Sequence, residues 1–249
     1  MGNKTIYYDF REDAENFPDA WCYIAIGGRN TGKTYSTLKY IHEEDQTEVF
    51  VKRTKQDVKL LCTKDKSNTM DFSPYKPLNR DLGWSIYPSI IDSDAGIGGF
   101  YDTDKDGNNL DLIGYVVALS AVTKVKGFSL EDAEWIVFDE FIPQQWERVS
   151  RQEGEQVMDL YKTVDRGRTL RGKKPLKIVF LANAVDISSP VTNILEVTDI
   201  IAEMKAKGES INYIEERGIL IHLLDDNEEF RAEEQKSTLY KAMGETSWG

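Results

Sequence analysis

Short apolar runs separated by polar or periodic stretches organise this chain. Residues 21–26 form an unbroken apolar run that breaks into Gly27 and Gly28, and apolar spacing resumes at helical intervals over residues 35–41. The β-branched character of residues 48–53 predicts the next strand. Strand, glycine turn, helix and strand in that order make a βαβ unit. Such a unit calls for an α/β fold with a mainly parallel central sheet flanked by helices, and for ligands at the carboxyl ends of the strands.

The pattern continues downstream. Residues 114–119, 135–138 and 176–182 are apolar runs of strand length, and residues 218–224 make a shorter one. Residues 155–164 have helical spacing, with Val157, Met158, Leu160, Tyr161 and Val164 on one broad face that reads as core. A second helix is predicted over residues 191–207, stopped by Gly208. Residues 54–66 predict a charged amphipathic helix, and residues 67–83, with Pro74 and Pro77, a loop. Residues 98–101 and 110–113 flank a turn-rich octet from Asp102 to Asn109. Its first half matches a calcium loop, but the closing glutamate position is Ile113, so a β-hairpin tip is the better reading. The first twenty residues are polar; Tyr7, Tyr8 and Phe10 are expected to hold this leader on the core.

Composition narrows the class. With 249 residues, 40% of them hydrophobic, the chain suffices for one main domain over residues 1–207 and a small C-terminal linker or tail over residues 208–249. No run approaches a membrane span in length and the first residues lack a secretory apolar stretch, so the chain reads as soluble. Cys22 and Cys62, each among apolar neighbours, read as buried thiols in a reducing compartment. A net charge of −12 argues against a general nucleic-acid-coating protein. The distribution is uneven, however: Lys162, Arg166, Arg168, Arg171, Lys173, Lys174 and Lys177 face only Asp165 within one short stretch. That basic island is either a solvated loop or a functional patch. His42 and His222 read as structural residues.

Candidate chemistry clusters at three strand ends. Gly27, Gly28, Arg29, Asn30, Thr31, Gly32, Lys33 and Thr34 have the spacing of a Walker A loop. In such a loop backbone N–H groups cradle phosphates, the lysine reaches the β- and γ-phosphates, and the hydroxyl binds Mg²⁺. Residues 135–138 end in Asp139 and Glu140, the Walker B pattern. There the first carboxylate helps hold Mg²⁺ and the second polarises a water for attack on the γ-phosphate. Acids at a strand end are weak evidence alone and strong evidence beside a phosphate loop. The fold expected is therefore a P-loop NTPase of the RecA/ASCE-like layout, with ATP and Mg²⁺ as cofactors. Asn183, ending residues 176–182, either senses the γ-phosphate or attacking water or caps the following turn.

Four segments, Ala25 to Tyr35, Phe50 to Arg53, Ile136 to Ile142 and Leu181 to Val185, resemble in order and neighbours the genome-packaging ATPases of small tailed podoviruses, the phi-twenty-nine-like type. Residues 163–168 resemble that family's helix end, which carries a trans-acting arginine. The resemblance covers roughly residues 20–190. It implies a homopentameric ring that hydrolyses ATP to drive double-stranded DNA into a preformed capsid, in the host cytoplasm and transiently at the portal vertex. It implies that Arg166 enters the neighbouring subunit's site, that Lys126 is a weaker second trans-acting candidate, and that Asn183 links nucleotide state to movement. DNA contact would be with backbone phosphates, independent of sequence, through Lys124, Lys126, Arg168, Arg171, Lys173 and Lys174, unless these line the subunit interface instead. Family members continue into a nuclease-like domain that the resemblance does not find here, and docking to the portal or to packaging RNA would fall to that portion. Two other readings compete: another ring-forming DNA translocase or helicase, and a nucleotide-switched scaffold without motor activity.

Overall fold

The computed structural model describes residues 7–63, 72–144, 147–183 and 187–224. In chain order its regular elements are α1 (Phe10–Asn16), β1 (Cys22–Gly27), α2 (Lys33–Glu43), β2 (Glu48–Lys52), α3 (Lys55–Leu61), α4 (Lys76–Leu82), β3 (Ile86–Asp92), β4 (Ile97–Thr103) and β5 (Asn109–Ala118). There follow α5 (Val122–Val125), β6 (Trp135–Asp139), α6 (Glu153–Asp165), β7 (Lys177–Asn183), α7 (Pro190–Ile194), α8 (Thr198–Lys207), β8 (Ile211–Ile214) and β9 (Ile219–Leu223). The nine strands form one sheet in the order β3-β4-β5-β2-β6-β7-β1-β9-β8. Neighbouring strands from β5 through β9 pair parallel, and the outer pairs β3 with β4, β4 with β5, and β8 with β9 pair antiparallel. The sheet is therefore mainly parallel, with β6 and β7 inserted between β1 and β2.

Each central strand is apolar on both sides because helices cover both faces. Cys22, Ile24 and Ile26 share one core cluster with α5, α6, α7 and α8, whereas Tyr23 and Ala25 point into a second cluster with α1, α2, α3 and α4. The same alternation splits Ile136 and Phe138 from Trp135 and Val137. The leader belongs to the second cluster. Asp9 caps α1 through Arg11 N–H, and Phe10 is fully buried against the rings of Tyr23, Tyr40 and Trp135, with centroids 5.4–5.5 Å away.

Several expectations change. Within the predicted loop of residues 67–83 lies α4, started by Pro77 in its first turn and stopped by Gly83 at φ 73°; residues 64–71 are outside the described set. Residues 114–119 do not make a separate strand: they continue the hairpin arm, so β5 is one strand, exposed at its start and buried at its end. The hairpin tip itself is held by Asp104, whose carboxylate accepts from Asp106 N–H and Asn108 N–H. The predicted helix over residues 191–207 is two helices, broken where Glu196 adopts φ 51°, and Gly208 ends the second. The sheet also runs past Lys207, the expected domain end. β8 and β9 complete its edge, and β9 lies directly beside β1; residues 225–249 are outside the described set. Both cysteines are buried thiols, and burial pushes Cys62 up to about 12. Among the described residues no helix is long and apolar enough to cross a membrane.

Replacing Phe10 with Ala removes the leader's anchor from three aromatic neighbours, and the loss is expected to be about 3–5 kcal/mol. Urea unfolding followed by tryptophan fluorescence checks this, since Trp135 is one of those neighbours.

Candidate functional site

The parallel register brings the chemical residues to one edge of the sheet. Gly27 at the end of β1 lies opposite Asn183 at the end of β7, and Asp139 at the end of β6 lies opposite Leu181. Beyond β1 the chain reverses through left-handed positions at Asn30, φ 59°, and Gly32, φ 83°, and enters α2 at Lys33. No side chain caps this helix. Its first-turn N–H groups and the positive end of its dipole are therefore left for an anion. A Cβ on Gly27 would stand 2.6 Å from Cβ of Leu224, so only glycine lets the loop leave the sheet beside β9. The leader supports the loop from the other side, Tyr8 N–H donating to the Thr31 carbonyl at 2.9 Å.

Lys33 folds back into the loop. Its ammonium donates to the Gly28 carbonyl at 2.7 Å and to Thr31 Oγ1 at 2.9 Å, with the Gly27 carbonyl and Asn183 Oδ1 each 3.3 Å away. Burial lowers its pKa from 10.5 to about 8, against the opposing pull of the Asp139 charge. Thr34 Oγ1 donates to Asp139 Oδ2 at 2.9 Å, and Glu140 N–H donates to Asp139 Oδ1 at 2.9 Å. Desolvation raises the Asp139 carboxyl above its usual range, opposed by the Thr34 hydrogen bond and the Lys52 charge. Glu140 holds a left-handed backbone at φ 57° and is exposed at the mouth.

These groups enclose a cleft of about 650 Å³ that Arg29, Lys33, Thr34, Asp139, Glu140 and Asn183 help to line. A second cleft of about 610 Å³ adjoins it at Asn30, Gly32, Tyr35 and Pro77 and runs along α2 under Tyr7, Tyr8 and Tyr40. The first holds an uncapped helix start and a buried ammonium facing a desolvated carboxylate, a set that fits a polyphosphate together with a divalent cation. Thr34 and Asp139 are hard oxygen donors. Among the described residues no group of three or more His, Cys, Asp or Glu side chains is placed to hold a metal. Few protein ligands suit Mg²⁺, which keeps waters and substrate phosphates in its shell.

The structure does not bring the basic candidates to this cleft. Arg166 caps α6 with a left-handed backbone, φ 36°, and its guanidinium donates to the Lys126 carbonyl. The thirteen-residue α6 begins at Glu153 and carries Arg166 about 20 Å along the helix from it. Lys126 pairs with Asp159 at 2.8 Å, Arg171 with Glu131 at 2.6 Å, and Lys173 with Asp132 at 3.7 Å. Lys124 donates to the Asp94 carbonyl at 3.2 Å, and Lys174 is exposed. Arg168 has to be withdrawn as a DNA contact. It is 4% exposed, and its guanidinium is spent on the carbonyls of Glu131 at 3.0 Å, Lys174 at 3.1 Å and Ala133. His222 is tied to the leader, its Nδ1 3.0 Å from Asp13. Sequence reading named neither Lys52, which lines the cleft, nor Arg53 beside it as site residues. Their position at the exit of a predicted strand was the available signal.

No protein-family model matches this chain, and no curated protein matches its sequence. Solved structures share its fold. The N-terminal domain of the DNA packaging ATPase from bacteriophage phi29 superposes with a TM-score of 0.63 at 19% identity, over 91% of this chain and 100% of that one. The phi-28 DNA packaging motor gives 0.60 at 18% identity over 88% of this chain. The bacteriophage phi-29 viral genome packaging motor assembly gives 0.62 at 18% identity over 98%. This chain spans 60% and 66% of the chains in those two assemblies.

The depressed Lys33 pKa has a sign that can be checked. Above about pH 8 the Lys33 ammonium loses its proton, and a phosphate bound beside it would pull the proton back, so such binding would take up a proton. Metal-free ADP titrated at about pH 9 is expected to give heats that scale with the buffer's ionisation enthalpy, corresponding to about one proton taken up, and an affinity that falls as pH rises through that range. For folding, the unfolded chain binds the extra proton between about 8 and 10.5, so the Lys33 contribution to stability grows as pH rises across that window.

Proposed function

We propose that this chain is the ATPase of a ring motor that drives double-stranded DNA into a preformed viral capsid. The observation that carries the reading is the contact of Thr34 with Asp139 at 2.9 Å in a cleft shared by Lys33, Glu140 and Asn183. The fold shared with phage DNA packaging proteins supports it further. In this reading the fold is that of a P-loop NTPase of the RecA/ASCE-like layout. The loop from Gly27 to Thr34 receives the triphosphate, and the adjoining cleft along Tyr35 and Tyr40 receives ribose and base. Thr34 and Asp139 would hold Mg²⁺, which would supply positive charge to offset that of the phosphate oxygens.

Glu140 is the residue that orients the attacking water and accepts its proton, since it is exposed at the mouth while Asp139 is committed to Thr34. Asn183 touches Lys33 and ends a central strand, so it is the group through which occupancy of the phosphate site reaches the sheet. Lys33 exchanges the loop carbonyls it now bonds for phosphate oxygens. Arg166 lines neither cleft around Asp139, so its use in the reaction requires a second copy of the chain. It then stabilises the charge spreading over the transferred phosphoryl group in the neighbour's site, in a ring of five. The exposed cations Lys124, Lys126, Arg171, Lys173 and Lys174 serve backbone phosphates of DNA or the contact between copies. The capsid portal is a partner of the assembled motor, with docking to it or to a packaging RNA falling to the family's nuclease-like portion, and the place of action is the host cytoplasm at the portal vertex.

Steady-state phosphate release with MgATP, with and without double-stranded DNA, tests the reading. Glu140→Gln is expected to abolish turnover while retaining nucleotide binding. Arg166→Ala is expected to lose about 10³–10⁵ in rate in the assembled state, and mixtures of the two variants to recover activity only where an intact site meets an intact arginine. DNA affinity is expected to fall steeply with salt. Turnover of the assembled Arg166→Ala protein at the wild-type rate would remove the arginine from the mechanism, and salt-independent DNA binding would count against the motor.

A further inference from the structure

Arg53 is the residue next to the cleft whose role the reaction scheme above does not absorb. It follows β2, and its guanidinium forks onto Glu153 at the start of α6, Nε to Oε2 at 2.8 Å and Nη2 to Oε1 at 3.2 Å. Nη2 also donates to the Phe141 carbonyl at 3.0 Å, Nη1 reaches Glu147 Oε1 at 3.5 Å, and the guanidinium carbon stands 5.4 Å from the centre of the Phe138 ring. Arg53 therefore touches the residue before Asp139 and the residue after Glu140.

The pair is expensive to keep. The Arg53 and Glu153 side chains are 14% and 4% exposed, and burial pushes the Glu153 carboxyl up while Arg53 pulls it back. Well-packed apolar residues of similar volume stabilise such a position as well or better, so stability alone does not account for it. Glu140 supplies the reason. Its φ of 57° is a conformation that a non-glycine residue holds only where its surroundings impose it. Two bonds at the next residue do the imposing: Phe141 N–H to the Leu181 carbonyl at 3.2 Å, and Arg53 to the Phe141 carbonyl. The first ties Phe141 to β7, and the second ties it to β2 and α6.

We propose that Arg53 is a positioning residue for hydrolysis: by clamping the Phe141 peptide against Glu153 it fixes the Glu140 carboxylate at the mouth of the cleft. The inference rests on the hydrolase reading above. Arg53 itself bonds no group of the phosphate loop, so its loss acts on the chemical step and not on nucleotide binding. Lysine at this position keeps the charge but cannot fork to Glu153 and reach the carbonyl together.

The test compares Arg53→Lys and the double variant Arg53→Ala/Glu153→Ala, which leaves no unpaired buried charge, with the wild type. Phosphate release with MgATP gives kcat and KM, calorimetry gives the MgADP affinity, and thermal melting reports the fold. The expected result is a kcat lowered at least about tenfold in both variants with KM and MgADP affinity within about twofold of wild type. A double variant that turns over at the wild-type rate would overturn the proposal. So would recovery of full kcat in Arg53→Lys, which would mean that charge alone suffices, or a raised KM at unchanged kcat, which would make Arg53 a binding residue. If the double variant melts far below wild type, Arg53→Lys decides. Absence of turnover in the wild type would instead sink the hydrolase reading and this one with it, a result distinct from any difference among the variants.

Discussion

Opposite charges that cannot each be buried alone line one cleft beyond the ends of β1 and β6, and the rest of the architecture serves to hold them there. Lys33 and the uncapped start of α2 make one side positive. Asp139, desolvated and bonded to Thr34, makes the other side negative. In the free protein each half is satisfied by makeshift partners, the loop carbonyls for Lys33 and a hydroxyl and one N–H for Asp139. Under the hydrolase reading a polyphosphate with its cation would replace those partners with matched charges on both sides at once. That exchange needs the two strand ends at a fixed separation. The insertion of β7 between β1 and β6 sets it through backbone ladders that pair Gly27 with Asn183 and Asp139 with Leu181.

The loop is braced by parts of the chain that are far apart in sequence. β9 pairs with β1, Leu224 N–H bonds the Ile26 carbonyl at 2.7 Å, and the Leu224 side chain leaves no room for a Cβ at Gly27. The leader closes the opposite flank through Tyr8 and Thr31, and Phe10 N–H bonds Ser36 Oγ in α2 at 2.7 Å. Leader and β9 are joined to each other as well. The buried Asp13 accepts from the Tyr8 hydroxyl at 2.7 Å and meets His222 Nδ1 at 3.0 Å. A loop held on both flanks has its backbone N–H groups oriented before any anion arrives, so little ordering would remain to oppose binding.

The central strands were legible because both of their faces are buried, which writes them as unbroken apolar runs of strand length, and the loop from Gly27 to Thr34 was legible as a strand-to-helix turn because its glycines break the apolar run. The edges were not. β3 is buried at Ile86 and exposed at Ile90 and Asp92 and carries Pro88, and β8 is four exposed or half-buried residues, so neither rises above loop composition. α4 hid behind its prolines although Pro77 and Gly83 stand where a helix begins and ends. Composition also misread Arg168. A cation inside a basic stretch looks solvated, yet the left-handed Gly167 and Gly172 turn this one back under Ala133, where backbone carbonyls need a donor. Arg53 was hidden for a related reason: its partners Phe141 and Glu153 lie some ninety to a hundred residues away. Only the adjacency of β2 and β6 brings them together.

Helix α6 gives that adjacency a longer reach. It starts at Glu153, bonded to Arg53 beside the catalytic candidates, and ends at Arg166, about 20 Å away along a rigid rod. Around its far end the acids Glu131, Asp132 and Asp159 already neutralise Arg171, Lys173 and Lys126, while among the described residues the Arg166 guanidinium bonds a carbonyl and no acid. Exposed pairs of that kind contribute little to stability, but they remove the local repulsion that would otherwise drive a cluster of cations apart. Among the described residues no ion pair neutralises Arg166, which sits on a left-handed cap whose carbonyl is pinned by Arg171 at 2.8 Å. An arginine in that position is drawn to an acidic patch on a second copy that brings one opposite it. Under the motor reading the acidic surface that matters is the mouth with Asp139 and Glu140. One helix then has the state of its own site at its start and the completion of the neighbour's site at its end.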